Sequence, residues 1–185
     1  MEKFKQRMQT PKSLFYRKLR SLLRPANYTL LLMVITSGFM ISCDHDDCDP
    51  TEPWEAEVDR LRNATDDYKD LEVATSDGYN MEVTGYRTQM GFHYLNVDLL
   101  DNQFEIEKPE VLIFAPDETG DLQFVAVEYG IPIADLNNPQ PAPEGFSGDS
   151  DVWIIDTEFS LWTLHVWTEL ENPNGIFTPR NPLLP

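Results

Sequence analysis

Apolar residues recur at steps of three and four between residues 54 and 74, which is the spacing that places one apolar stripe along an α-helix. Ser76, Asp77 and Gly78 end the pattern with residues typical of a turn. The sequence therefore predicts one long helix from Trp54 to about Ala74. The predicted stripe consists of Trp54, Val58, Leu61, Ala64, Tyr68, Leu71 and Ala74.

Beyond residue 79 the pattern changes to short β-rich runs separated by turn residues. Residues 111–115 and 122–129 flank "PDETGD", and this arrangement predicts an antiparallel hairpin. "LWTLHVWTEL", residues 161–170, predicts a further strand. Residues 137–148 hold three of the 14 prolines and predict a loop, and the turn-rich tail at 171–185 is expected to wrap the surface without building core. The predicted fold class is α+β, a long N-terminal helix packed on a small antiparallel β-sheet.

The first 42 residues are of a different kind. Eight of the 14 basic residues precede an apolar segment at about 29–41, and this order is typical of a signal peptide. The apolar segment is shorter than the roughly 20 residues that span a bilayer comfortably, although an uncleaved membrane anchor is the alternative. We therefore expect a signal peptide at 1–42, an acidic tether at 43–52 and a single α+β domain at 53–185.

The segment Met40-Ile41-Ser42-Cys43 resembles the lipobox of bacterial lipoprotein precursors, with Met40 in place of the usual leucine. The resemblance implies that Cys43 is lipidated, for example with palmitate, and becomes the first mature residue. Acyl chains of this kind anchor a soluble domain firmly to a membrane. Two alternatives stay open for the cysteines: a disulfide between Cys43 and Cys48, or a small zinc site that includes His45.

The acidic residues in "CDHDDCD" are similar to the export signal that sends some outer-membrane lipoproteins to the cell surface. A solvated acidic tether explains these residues equally well. The sequence thus predicts a lipid-anchored protein of the cell envelope, at the outer membrane, with its domain exposed at the cell surface or in the periplasm.

The charge of the chain excludes one class of partner. The net charge of the whole chain is −18, but from Cys43 onward only six basic residues face 31 acidic ones, a net charge of −25. Such a surface repels nucleic acid, so we expect the mature part to bind a small ligand or an envelope protein instead.

Two histidines lie within the predicted domain, and both have apolar and aromatic neighbours. His93 lies in "MGFHYLN" and His165 in the strand "TLHVW". Strand alternation places His165 on the face of Leu161, Thr163 and Trp167, and it places Glu128 on the face of Leu122, Phe124 and Ala126.

A carboxylate on such a face is unusual, because carboxylates are rarely buried unpaired. His93, Glu128 and His165 are therefore candidates for one shared site, with Glu110 as a fourth member. Two histidines and a carboxylate match a divalent metal site or a histidine–carboxylate acid–base pair. A hydrogen-bonded network that only holds the strands in register is the structural alternative.

Residues from about 74 to 182 resemble an uncharacterised family of small secreted bacterial proteins. The matching pieces are "MGFHYLN", "LLDNQFEIEKPEVLIFAP", "LQFVAVEYGIP", "LHVWTELENPNGIF" and "RNP". The resemblance singles out His93, Glu110, Glu128 and His165, and it implies no activity. The leading hypothesis is a lipid-anchored envelope protein that binds a small ligand or a divalent metal. The alternatives are a secreted enzyme that uses His93, Glu128 and His165, and a purely structural envelope protein.

Overall fold

The computed structural model of the protein describes residues 51–185. The predicted signal peptide and lipobox, with Cys43, His45 and Cys48, lie outside the described residues, as does most of the predicted tether. Within residues 51–185, no helix is both long and apolar enough to cross a bilayer.

The segment predicted as one long helix is divided into three pieces. Helix α1 runs over Glu55–Thr65, a 3-10 turn follows at Asp66–Lys69, and a second helix, α2, runs over Leu71–Ser76. Asp70 between them is extended, with φ −96° and ψ 113°, and its side chain accepts a hydrogen bond from the Glu72 N–H at 2.8 Å. Such a cap favours a new helix start over continuation of the previous helix. The prediction of a long N-terminal helix was therefore wrong.

The described chain is dominated by one antiparallel sheet of six strands in the order β1-β2-β3-β4-β6-β5. The α+β class predicted from a long helix on a small sheet is corrected accordingly. Strands β3 and β4 form the hairpin that the sequence predicted, whereas the strand predicted over residues 161–170 ends at Val166. The strands are β1 Met81–Glu82, β2 Phe92–Leu95, β3 Val111–Pro116, β4 Leu122–Pro132, β5 Ile154–Asp156 and β6 Leu161–Val166.

The two faces of the sheet carry different cores. The first face, which we call the helix face, packs Val58 and Leu61 of α1 and Ala74 of α2 against strand side chains such as Phe114 and Leu164. The second face, which we call the open face, carries a smaller apolar cluster. That cluster consists of Val111, Ile113, Ala115, Val125, Ala126, Trp167 and Leu184.

A β-bulge in strand β4 changes which residues share a face. Ile113 pairs with Ala126 and Phe114 with Phe124, so Val125 is the extra residue of the bulge. Phe124 consequently packs in the helix-face core, while Ala126 packs on the open face. The prediction that Phe124 shares the face of Glu128 was wrong, because simple alternation does not anticipate a bulge.

The C-terminal tail contributes to the core, contrary to the prediction that it only wraps the surface. Phe177 and Leu184 are buried, and Asn181 is fully buried. The Asn181 side chain donates a hydrogen bond to the Glu171 carbonyl at 2.9 Å, and the Trp167 indole N–H donates one to the Thr178 carbonyl at 2.7 Å. The turn-rich composition of the tail did not indicate that buried side chains hold its backbone in place.

Candidate metal centre

Three strands position the predicted site residues on the open face. His93 lies in β2, Glu128 in β4 and His165 in β6. Glu128 and His165 are direct cross-strand partners. His93 lies on the far side of β3, whose Val111 is the partner of Glu128, so its imidazole reaches the carboxylate diagonally across that strand.

The three side chains come close enough to share one ion. The His93 Nε2 lies 3.7 Å from Oε2 of Glu128, and the His165 Nδ1 lies 3.6 Å from Oε1 of the same carboxylate. The two imidazole rings have centroids 5.9 Å apart and are nearly perpendicular, at 87°. One ligand atom from each residue can be chosen so that all three lie within 4.8 Å of one another.

The polar atoms of His165 have no hydrogen-bond partner among the described residues. Both ring nitrogens are buried and unpaired. A neutral imidazole carries one donor and one acceptor, and leaving a buried polar group unpaired costs about 1–3 kcal/mol. The 3.6 Å distance to Glu128 is also longer than a hydrogen bond. These contacts therefore differ from the satisfied structural network that was the alternative for these residues.

The contacts of the Thr84 hydroxyl bear on which nitrogen of His93 carries the proton. The Thr84 hydroxyl donates to the Gly85 carbonyl at 2.7 Å and lies 3.0 Å from Nδ1 of His93. If the hydroxyl proton is used on Gly85, its oxygen accepts from His93 Nδ1–H. Nε2 of His93 is then an unprotonated acceptor that faces the Glu128 carboxylate. A proton or a cation between two acceptors in this arrangement gives both of them a partner.

Burial also shifts the pKa values of the three groups. Burial, assisted by the charges of Arg180 and Arg87, lowers the pKa of His165 to about 3. Burial lowers the pKa of His93 as well, opposed by the charge of Glu128. Both imidazoles are therefore neutral at neutral pH, which is the form that binds a metal. Burial raises the pKa of Glu128, opposed by His93 and the Thr163 hydroxyl, so a metal competes with a proton for this carboxylate.

A small pocket of about 60 Å³ opens beside the cluster. One water needs about 10–15 Å³ of such space, so the pocket has room for several waters or for a small ligand next to an ion. The loop between β1 and β2 and the turn between β5 and β6 form its rim. The lining residues are Val83, Thr84, Arg87, Met90, His93, Leu95, Val111, Glu128, Asp156, Phe159, Leu161 and Thr163.

Glu110, the fourth residue of the predicted site, does not join the cluster. It is buried, and its Oε2 accepts a hydrogen bond from the Gly130 N–H at 3.0 Å. Glu110 precedes Val111 by one residue and lies near Tyr129 of the helix face, so strand alternation directs it away from the histidines. The structure thus gathers three of the four predicted residues.

Several residues around the cluster were not anticipated from the sequence. The Thr84 hydroxyl lies 3.0 Å from Nδ1 of His93, and Arg87 and Asp156 line the pocket. All three lie in loops or at a strand end, where neither hydrophobic periodicity nor a short motif marks them. Only the three-dimensional arrangement of the β1–β2 loop and the β5–β6 turn identifies them.

The donor set fits a first-row divalent metal ion. Two imidazole nitrogens and one carboxylate oxygen suit zinc, which in catalytic sites keeps three protein ligands and one open position. The same donors also form the facial triad of non-haem iron(II). Metal bonds of about 2.0–2.2 Å require ligand atoms no more than about 4 Å apart, so the widest pair, within 4.8 Å, closes with side-chain shifts of about 1 Å or less.

Comparison of the chain with protein-family models, with curated protein sequences and with solved structures found no match. The resemblance to a family of small secreted bacterial proteins therefore stays a prediction.

Proposed function

We propose that this protein is a divalent-metal-binding domain of the bacterial cell envelope, with one ion held by His93, Glu128 and His165. The observation that carries the proposal is the convergence of His93, Glu128 and His165, with ligand atoms within 4.8 Å of one another, around a buried His165 that has no hydrogen-bond partner among the described residues. A cation at the centre gives all three side chains a partner at once, because each presents a lone pair to the same space.

Zinc is the ion that we expect first. Its preference for neutral imidazole together with a carboxylate matches the ligand set, and it tolerates a three-ligand site with an open position. The Thr84 hydroxyl supports this role because it accepts the Nδ1–H of His93 and so orients the opposite nitrogen. Hydrogen bonds of this kind to the outer ring nitrogen are the usual support of metal-bound histidines.

The test is a zinc titration of the purified chain, with the bound metal measured by elemental analysis after dialysis. Wild type should hold one zinc per chain. Glu128→Gln keeps the size of the side chain but loses the charge, and it should weaken zinc binding by at least about 100-fold, since loss of a supporting residue alone costs 10–100-fold.

Glu110→Gln is the matched control, because it makes the same substitution at a buried glutamate outside the cluster. It should leave zinc binding unchanged. Equal zinc affinity in wild type and Glu128→Gln would contradict the proposal, as would a wild-type chain that retains no zinc. A chain that selects iron(II), manganese or cobalt over zinc would keep the site and correct the identity of the ion.

We further propose that a lipid on Cys43 holds the domain at the envelope. This part of the proposal rests on the lipobox resemblance and on the acidic character of the chain beyond it. The full-length protein should partition into the detergent-rich phase, and Cys43→Ala should abolish this behaviour. Membrane retention of Cys43→Ala after an alkaline wash would instead favour an uncleaved membrane anchor.

A further inference from the structure

Among residues 51–185, Arg87 is the one cationic side chain that lines the pocket beside the histidine cluster. The backbone of the β1–β2 loop holds it in position, since Arg87 and Gly91 exchange N–H to carbonyl hydrogen bonds of 3.0 and 2.9 Å. Gly91 has a φ of +105°, and an added Cβ there would lie 2.6 Å from the Phe114 carbonyl oxygen. Because only glycine fits this backbone conformation and close approach, Gly91 fixes the loop conformation in which Arg87 lines the pocket.

The guanidinium of Arg87 binds a carboxylate within the protein. Its Nη2 lies 2.6 Å from Oε2 of Glu158, in the turn between β5 and β6, and its Cζ lies 5.9 Å from the ring centre of Phe159. The Glu158 side chain is 65 % exposed. The Arg87 side chain is less exposed, at 31 %. An ion pair with one well-exposed partner contributes little net stability, so an incoming anion can replace Glu158 at small cost.

The remaining pocket wall is mainly apolar, with Val83, Met90, Leu95, Val111 and Leu161 among its residues. The free space of about 60 Å³ suits a group of a few heavy atoms. The polar lining includes His93 and Glu128 of the cluster and the side chain of Arg87.

The geometry points to a small carboxylate-type anion as the ligand of this pocket, held between the bound metal ion and the guanidinium of Arg87. This inference rests on the proposed metal site, because Glu128 and Asp156 make the pocket anionic when no metal is bound. A bound divalent ion reverses the sign of the charge in the pocket and offers the ligand an open coordination position. Arg87 then supplies the planar pair of donors that fits a carboxylate, and Glu158 is the internal carboxylate that the ligand displaces.

Asp156 does not oppose this arrangement strongly. Its Oδ1 accepts the backbone N–H groups of Glu158 at 2.7 Å and Phe159 at 3.1 Å. These bonds engage the carboxylate in the β5–β6 turn. Asp156 consequently shapes the turn that carries Glu158 toward Arg87.

The test uses the full chain loaded with Co²⁺, whose visible absorption reports its coordination, and acetate as the probe anion. Metal uptake is measured first and separately. Acetate should then produce a saturable spectral change, and sodium chloride at the same ionic strength should not. Without metal, acetate binding measured by calorimetry should be absent.

Two variants at the rim separate the anion site from the metal site. Arg87→Gln should take up Co²⁺ as wild type does but bind acetate at least about tenfold more weakly, because a charge-assisted hydrogen-bonding pair is lost. Glu158→Gln should bind acetate several-fold more tightly, because the competing carboxylate is gone.

The outcomes distinguish this inference from the proposed function. Failure of wild type to bind Co²⁺ and zinc would overturn the proposed function and the anion inference with it. Normal metal uptake without a saturable acetate response would overturn only the anion inference. Equal acetate affinity in wild type and Arg87→Gln would also overturn it, because the anion would then be held by the metal alone.

Discussion

The two faces of the sheet each hold a glutamate that is largely withdrawn from water, and their surroundings differ. Glu110 accepts a hydrogen bond from the Gly130 backbone N–H and lies close to the aromatic core beneath the helices. Glu128 lies between two imidazoles at 3.6 and 3.7 Å. Residue type and burial alone therefore do not identify a functional carboxylate.

What separates the two glutamates is whether the neighbouring polar atoms already have partners. On the helix face the buried tyrosine hydroxyls also have partners, since Tyr79 donates to the Pro109 carbonyl and Tyr129 donates to the Ile106 carbonyl. On the open face both nitrogens of His165 lack partners among residues 51–185. On the helix face the indole N–H groups of Trp54 and Trp153 also lack partners among residues 51–185, but a donor cannot bind a cation. The open face carries the unpaired ring nitrogens that a cation would satisfy.

The largest effect is expected from breaking the helix face. Leu61 is fully buried in the core beneath α1, so Leu61→Ala should lower the free energy of unfolding by about 2–5 kcal/mol. Denaturant unfolding followed by tryptophan fluorescence measures this change. Val73→Ala, at a position 38 % exposed in α2, is the control and should cost much less. A cost near zero for Leu61→Ala would mean that α1 does not pack on the sheet.

The next largest effect concerns Glu110, the glutamate of the helix face, and the pH dependence of the free energy of unfolding. Burial raises the pKa of Glu110 from 4.5 to about 7, so the folded protein keeps this proton after the unfolded chain has lost it. The stabilisation is complete below about pH 4.5 and is lost as the pH rises to about 7, a change of roughly 3 kcal/mol. Glu110→Gln should remove this part of the pH dependence in urea unfolding. Identical pH profiles for wild type and the variant would contradict the assignment.

A smaller effect is expected from the support of His93 on the open face. Thr84→Val removes the oxygen that accepts His93 Nδ1–H while keeping the shape of the side chain. Zinc affinity should fall about 10–100-fold, as for other residues that support a metal-bound histidine. Thr88→Val, an exposed position in the same loop, should leave affinity unchanged. If both variants bind zinc as wild type does, Thr84 does not orient the histidine.

The smallest expected effect is a gain in the stability of the metal-free protein when His165 is replaced, accompanied by a loss of zinc binding. His165→Leu replaces two unpaired buried nitrogens with an apolar side chain of similar size. The metal-free variant should be more stable than metal-free wild type by about 1 kcal/mol, since the cost of the unsatisfied polar atoms is removed. It should lose zinc binding. A less stable metal-free variant would indicate that His165 has a structural role that the leucine cannot fill.

Local patterns predicted the elements that depend on neighbouring residues. The alternation and the turn "PDETGD" were sufficient for the β3–β4 hairpin, and the scarcity of histidine in the domain directed attention to His93 and His165. The predicted long helix was wrong because Asp70 caps a new helix while the apolar spacing continues through the break. Periodicity records only which residues face the core, not whether the backbone stays helical between them.

The parts of the site that the sequence did not reveal depend on contacts between distant segments. Glu110 was included in the predicted site although strand alternation places it on the face opposite to that of Val111. The bulge at Val125 changed which residues of β4 share a face. Thr84 and Arg87 reach the site only because the β1–β2 loop folds back beside β2. The tail gave no apolar period, yet Asn181 and Leu184 are buried through hydrogen bonds and packing that form only in the folded chain.

The most direct test of the metal centre is a crystal structure of the zinc-loaded protein, with anomalous diffraction recorded on both sides of the zinc absorption edge. A metal ion at this centre should give one anomalous peak per chain, at about 2.0–2.2 Å from a nitrogen of His93, a nitrogen of His165 and an oxygen of Glu128. Absence of a peak at this position, with water or a direct hydrogen bond between the imidazoles and the carboxylate, would contradict the proposed metal centre.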